Sequence, residues 1–257
     1  MWNNPVFRYE LRGWRCWRRW PGWAKGLGAG LVTVAIWGYG RGLLGLAESL
    51  TSRGYVWEWW QGLTYLLLFA LLVLAPGLTA NAITGERERR TLDLLLTTRL
   101  SSAEIVKGKL YARLVPLGGL LLLYLPFAVL CGLKGVPWVA VGGTLLFLPL
   151  CGLAGTNIGL YCSTVSRKTA TATALAYAIV LGLLMVSVGE MLWSVRVWRG
   201  SPWDPILNPF FTLSGLYSAL RGRDLGLTAW PLGFLFYGLL ALGGPRYIIS
   251  RFGRQEG

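Results

Sequence analysis

What most limits the fold of this 257-residue chain is the recurrence of uninterrupted apolar windows of about 20 residues, enough helix to cross a hydrocarbon core. The run LTYLLLFALLVLAPGL, Leu63 to Leu78, is apolar on every side. It lacks the period-two alternation of a lipid-facing barrel strand, so it reads as a helix, which satisfies its own backbone where there is no water. With 54% of residues hydrophobic and 14% charged, the expectation is an all-α integral membrane protein forming a single transmembrane domain over 1–257. Hydropathy places six spans at roughly 24–46, 62–84, 113–133, 137–163, 170–193 and 229–249.

The net charge of +14 follows the same logic. Its basic residues are not spread over a soluble domain but stand in short clusters beside the apolar runs, which is the pattern of positive-inside topology and argues against nucleic acid as a partner. Arg8 to Lys25, Arg87 to Arg113, Arg167 with Lys168, and Arg246 to Arg254 all fall on one side if there are six crossings, so both termini are expected in the cytoplasm. The segment 194–228, expected outside, opposes this rule with Arg196, Arg199, Arg221 and Arg223. No short apolar stretch with a small-residue cleavage site stands at the start, so the first run is expected to be a retained span. Of the four cysteines, three lie in apolar runs and Cys16 among arginines, which is no disulfide framework.

Residues 1–23 read as an interfacial amphipathic helix. Asn4 before Pro5 is a favourable helix start. At 100° per residue, Arg8, Arg12, Arg15 and Arg19 fall within an arc of about 60°, and Phe7, Leu11, Trp14 and Trp17 lie outside it. The arginines suit anionic headgroups and the tryptophans suit the interface of the bilayer. A plain positive-inside flank is the alternative.

The segment 85–112, between the second and third spans, is as charged as its flanks are oily. Glu86, Arg90, Asp93 and Thr97 recur at helical spacing, with Glu86 to Arg90 and Arg90 to Asp93 as opposite-charge neighbours and Leu92, Leu95 and Leu96 on the other face, which predicts a short amphipathic helix. Ser101-Ser102-Ala103-Glu104 has the form of a capping box, so a second helix is expected to begin there and to run through Lys107 and Lys109 into the third span. The result is a compact cytoplasmic hairpin whose leucine face needs the membrane surface or another protein to cover it.

The run Glu86 to Thr98, followed by Leu100 to Lys109, resembles the cytoplasmic signature of type-2 ABC transporter permeases: ERE, a small residue, TLExLL, a Ser/Pro turn, and IxxGKx. Arg90 stands where a Gly is usual and Asp93 where a Glu is usual. The resemblance implies a type V exporter-like fold in which this stretch is the coupling helix. Glu86, Glu88, Arg90, Leu92, Asp93, Leu95 and Leu96 would then dock on a separate ATPase subunit. It also implies two ATPase copies, a second permease subunit that is identical or related, a plasma or inner-membrane location, and export as the direction of transport.

The chain has no GxxxxGK[ST] loop, so ATP is expected on the partner and no cofactor on this chain. Histidine is absent, which excludes Ser-His-Asp hydrolysis and HExxH zinc chemistry, and no enzyme activity is expected. Asn157, with Arg41, Asn81 and Glu190, is polar within or at the edge of a span: either a contact to substrate or a bond to a neighbouring helix. Gly152, Gly155 and Gly159 are expected to allow close helix packing. In the outer segment 194–228, Pro205 and Pro209 bracket Asn208, and the apolar run that follows suits a helix that either dips into the membrane or rests on it. Phe210, Phe211 and Tyr217 are the candidate gate there. The rival class is a membrane scaffold that recruits a cytoplasmic partner through 85–112 and has no translocation path.

Overall fold

A computed structural model describes Val6 and residues 56–90, 102–197, 207–221 and 230–256, the side chains of 102, 186–197 and 251–256 excepted. The interfacial segment with Arg8, Arg12, Trp14, Arg15, Trp17 and Arg19, the first predicted span, and Leu92, Asp93, Leu95 and Leu96 lie outside the described residues.

Among the described residues seven helices follow one another: α1 (Val56–Ala80), α2 (Thr84–Glu88), α3 (Ser102–Leu133), α4 (Trp138–Val165), α5 (Thr169–Val197), α6 (Pro209–Leu220) and α7 (Trp230–Glu256). No strand occurs among the described residues. Among the described residues, four stretches are long and apolar enough to cross a membrane: Val56–Glu88, Ala103–Leu133, Trp138–Val165 and Trp230–Ser250. They coincide with predicted spans two, three, four and six. The fifth predicted span is the 29-residue α5, whose described side chains end at Met185.

The helices alternate in direction. α3 returns alongside α1, because Tyr124 and Phe127 near its end meet Trp60 near the start of α1. The turn from α3 to α4 is a Schellman motif: Val136 N bonds Cys131 O at 3.1 Å, Gly135 N bonds Gly132 O at 3.3 Å, and Gly135 takes the positive φ of 117° that suits a residue without Cβ. α4 is central and packs on α1, α3, α5, α6 and α7. It runs parallel to α1, which it meets through the three glycines singled out above. A Cβ on Gly152 would touch Leu71, one on Gly155 would lie 3.0 Å from Ala75 Cβ, and one on Gly159 would lie 2.6 Å from Pro76 O. Small residues let the two backbones close up, which matters in lipid, where apolar burial between helices adds little. α7 also runs parallel to α4: Phe147 packs against Phe234 and edge-on against Tyr237 near one end, and Tyr161 meets Tyr247 near the other.

α6 is packed within the helical bundle. Asn208 caps it, its side chain accepting from Phe210 N at 2.9 Å, with Pro209 in the first turn. Leu213, Leu216 and Tyr217 are buried against α1, α4 and α7. Its N-terminus shares an apolar crevice with Leu72, Cys151 and Tyr237, whereas Tyr217, two turns on, reaches Trp57 at the start of α1. Leu72 is 15 residues from Trp57, about 22 Å along a helix, so α6 is inserted among the spans and does not lie on their surface. Leu122, Leu133, Leu239 and Leu242 are each about 65–71% exposed on the outside of the bundle, the faces that hydrocarbon would cover.

Candidate functional site

At the end of the bundle where α1 finishes and α3 begins, residues 81–90 are tied to three other helices. α2 is a single turn, too short to hold itself, and its Ile83 N-cap position supplies no side-chain bond. Ser163 of α4 does so instead, its Oγ accepting from Ile83 N at 2.9 Å and Thr84 N at 3.0 Å. Thr84 Oγ1 donates to Ala80 O at 2.9 Å, joining α2 back to α1. Beneath lie Ile83, Val106, Leu110, Leu160 and Ile248, an apolar plug drawn from the turn, α3, α4 and α7.

Three charged side chains add longer-range ties. Lys109 of α3, only 1% exposed, donates to Ala82 O at 2.7 Å and forms an ion pair with Glu86 Oε1. A cation so buried requires an opposite charge and further acceptors, and it has both. Glu88 turns to α5: Oε1 accepts from Thr169 N at 2.6 Å and Oε2 from Thr169 Oγ1 at 2.9 Å. A carboxylate at a helix N-terminus satisfies a free amide and sits at the positive end of the helix dipole. Arg87 Nη1 donates to Ser166 O at 2.7 Å in the turn between α4 and α5. Residues 86–90, the start of α3 and the turn 166–169 therefore gather at one end, as the alternating topology requires.

Two expectations change here. The helix expected to carry Glu86, Arg90, Asp93 and Thr97 on one face ends at Glu88, and Arg90 has a φ of 55°. Arg90 N bonds Arg87 O at 3.1 Å, as the residue after a helix end does in a Schellman turn, so Arg90 occupies the left-handed position that the usual Gly of the resembled signature would fill without strain. Glu86 consequently pairs not with Arg90 but with Lys109, 23 residues away. Glu86 and Glu88, two of the residues the resemblance implies for docking, are bonded within the chain, whereas Arg90 is exposed.

Sequence reasoning took Lys109 for part of a basic flank and did not single out Ser163 or Thr169. A signal for Lys109 existed. Ile105, Val106, Lys109 and Leu110 follow the spacing of one buried helix face, from which Lys107 is absent.

The candidate path residues are not brought together. Asn157 Nδ2 donates to Leu240 O and Ala241 O of α7, both at 2.9 Å. Ala241 O is the carbonyl that would bond the amide of residue 245, and residue 245 is proline, so Asn157 supplies the donor that Pro245 lacks. Tyr217 is 1% exposed, bonds Thr144 Oγ1 at 2.8 Å and packs edge-on against Trp57. Phe210 packs against Tyr65, and Phe211 is half-buried. Thr144 and Asn157 stand 13 positions apart on α4, about 20 Å. Asn157 and Tyr217 therefore act as ties between helices at different depths. Arg41 and the side chain of Glu190 lie outside the described residues.

An all-helical bundle with four span-length apolar helices, lipid-suited outer faces and a charged brace at one end defines a multi-pass integral membrane protein. The chain belongs to the ABC-2 family of transporter proteins, whose family model matches residues 29–195. It is 28% identical over 201 residues to the inner membrane transport permease YhhJ of Escherichia coli strain K12, and the same figures hold for YhhJ of Shigella flexneri. These alignments cover 74% of this chain and 50% of each relative, so the chain spans about half the length of the curated relatives it matches.

Proposed function

We propose that this chain is the membrane-spanning subunit of an ATP-driven exporter, forms a translocation path with a second permease subunit, and is driven by two copies of a separate ATPase. ATP binds to the partner, and this chain carries no cofactor. The braced end faces the cytoplasm, as do both termini, in the plasma or inner membrane. The observation that carries this reading is the attachment of residues 81–90 to α3, α4 and α5 through Lys109, Ser163 and Thr169. A segment that only recruited a partner would need no such anchoring, whereas one that transmits force must be stiffly joined to the helices it moves. The leucine-bearing continuation, Leu92, Leu95 and Leu96, makes the contact with the ATPase, and the exposed Arg90 lies at its edge.

Purification of the native complex from its own membrane tests this. A stoichiometric P-loop ATPase is expected, and a complex without one would turn the assignment towards a non-transporting scaffold.

A further inference from the structure

Arg87 and Arg167 flank an open concavity at the braced end of the bundle, with Thr164 and Val165 as its remaining walls. Arg87 is held in place by its bond to Ser166 O, and neither arginine has a carboxylate partner among the described residues. The acids closest in sequence to Arg87 are engaged elsewhere, Glu86 with Lys109 and Glu88 with Thr169. Two arginines therefore line one hollow with no ion-pair partner among the described residues. Val165, the last residue of α4, is 41% exposed beside them. Val165 ends a helix long and apolar enough to cross a membrane, so in a bilayer the hollow would stand near the headgroups at that end of the span.

Planar guanidinium groups bind phosphate oxygens in pairs, and basic pockets between spans recruit anionic lipids. A free phosphate offers the arginines the same oxygens but gives the exposed valine nothing to cover it. A lipid covers both. We propose that this concavity binds the phosphate of an anionic phospholipid headgroup, with the glycerol end of the lipid over Val165. The inference rests on the chain being a membrane protein and not on its coupling to an ATPase.

The test uses the full chain in nanodiscs containing a photoreactive phosphatidylglycerol, or a photoreactive phosphatidylcholine as the neutral control, with crosslinks mapped by mass spectrometry of peptides. Crosslinks to phosphatidylglycerol are expected at residues 164–167 and 87, falling about fivefold for each arginine removed in Arg167→Gln and in Arg87→Gln/Arg167→Gln. Arg167→Gln disturbs no bond described above, so it reports on binding even if the double variant folds poorly. Arg167→Lys should keep much of the signal. Equal labelling by the phosphatidylcholine probe, or labelling unchanged in Arg167→Gln, overturns the proposal. Displacement of the crosslink by millimolar inorganic phosphate would assign the hollow to a soluble anion. Loss of the crosslink on adding a purified ATPase subunit would assign it to a protein partner. Either of these last results also overturns the proposal.

Discussion

Lys109→Met is the most informative single change. It nearly preserves the reach of the side chain but removes the ammonium group that bonds Glu86 Oε1 and Ala82 O. Removing one member of a fully buried ion pair costs about 3–5 kcal/mol. The Glu86 side chain is 22% exposed against 1% for Lys109, so water recovers part of the loss, and about 2–3 kcal/mol is the expected cost here. For a domain of this size that corresponds to a fall in Tm of roughly 5–10 °C. The buried thiols of Cys131, Cys151 and Cys162 provide the assay. In a Cys16→Ser background in detergent, a thiol-reactive fluorophore reports unfolding as these cysteines become accessible. Glu86→Gln alone should destabilise less, and Lys109→Met/Glu86→Gln should recover much of the loss, because two neutral groups leave no stranded charge. A Tm within one degree of the parent for Lys109→Met, or strict additivity in the double variant, would refute the claim that this pair holds the segment to α3.

Gly159→Leu should prevent α1 and α4 from closing and abolish monodisperse protein in size-exclusion chromatography, whereas Gly142→Ala, in open space on the same helix, should be silent. Asn157→Leu should cost about 1–2 kcal/mol in the same melting assay by leaving Ala241 O without a donor beside Pro245, and a neutral result would mean that water or a neighbouring group replaces the amide. Arg90→Gly should raise Tm by a few degrees, since relief of left-handed strain in a non-glycine residue contributes roughly 1 kcal/mol; a decrease would show that the arginine side chain contributes more than its backbone costs.

The spans were legible because lipid leaves a chain few choices: an apolar window must be a helix, and α1, α3, α4 and α7 lie where hydropathy puts them. Boundaries were less so. α1 starts at Val56 and not near residue 62, because Trp57 and Trp60, which hydropathy treats as marginal, extend it into the aromatic cluster with Tyr124 and Tyr217. The start of α3 at Ser102 was visible in its capping box. The cap of α6 was equally visible in Asn208-Pro209, but its burial was not, since an apolar helix of 12 residues reads the same on a membrane surface as inside a bundle. The site was legible as a segment and not as a mechanism. Local spacing suggested Glu86 with Arg90, but Arg90 carries no glycine to announce that the helix has ended, and Lys109 is a long-range partner that no helical wheel brings near. Ser163 and Thr169 act through an oxygen and an amide whose use depends only on which helices meet.

Coupling to an ATPase is the central claim, and Leu95→Asp tests it most directly. The change puts a carboxylate into the proposed apolar contact at a cost of several kcal/mol and leaves every described tie of the bundle untouched. The measurement is substrate-stimulated ATP hydrolysis and transport by the complex reconstituted in proteoliposomes, alongside copurification of the ATPase. The account predicts that the variant inserts normally, loses the ATPase on purification and loses transport together with stimulated hydrolysis, while the isolated ATPase keeps its basal rate. A Leu95→Asp complex that stays intact and transports like the parent would contradict it.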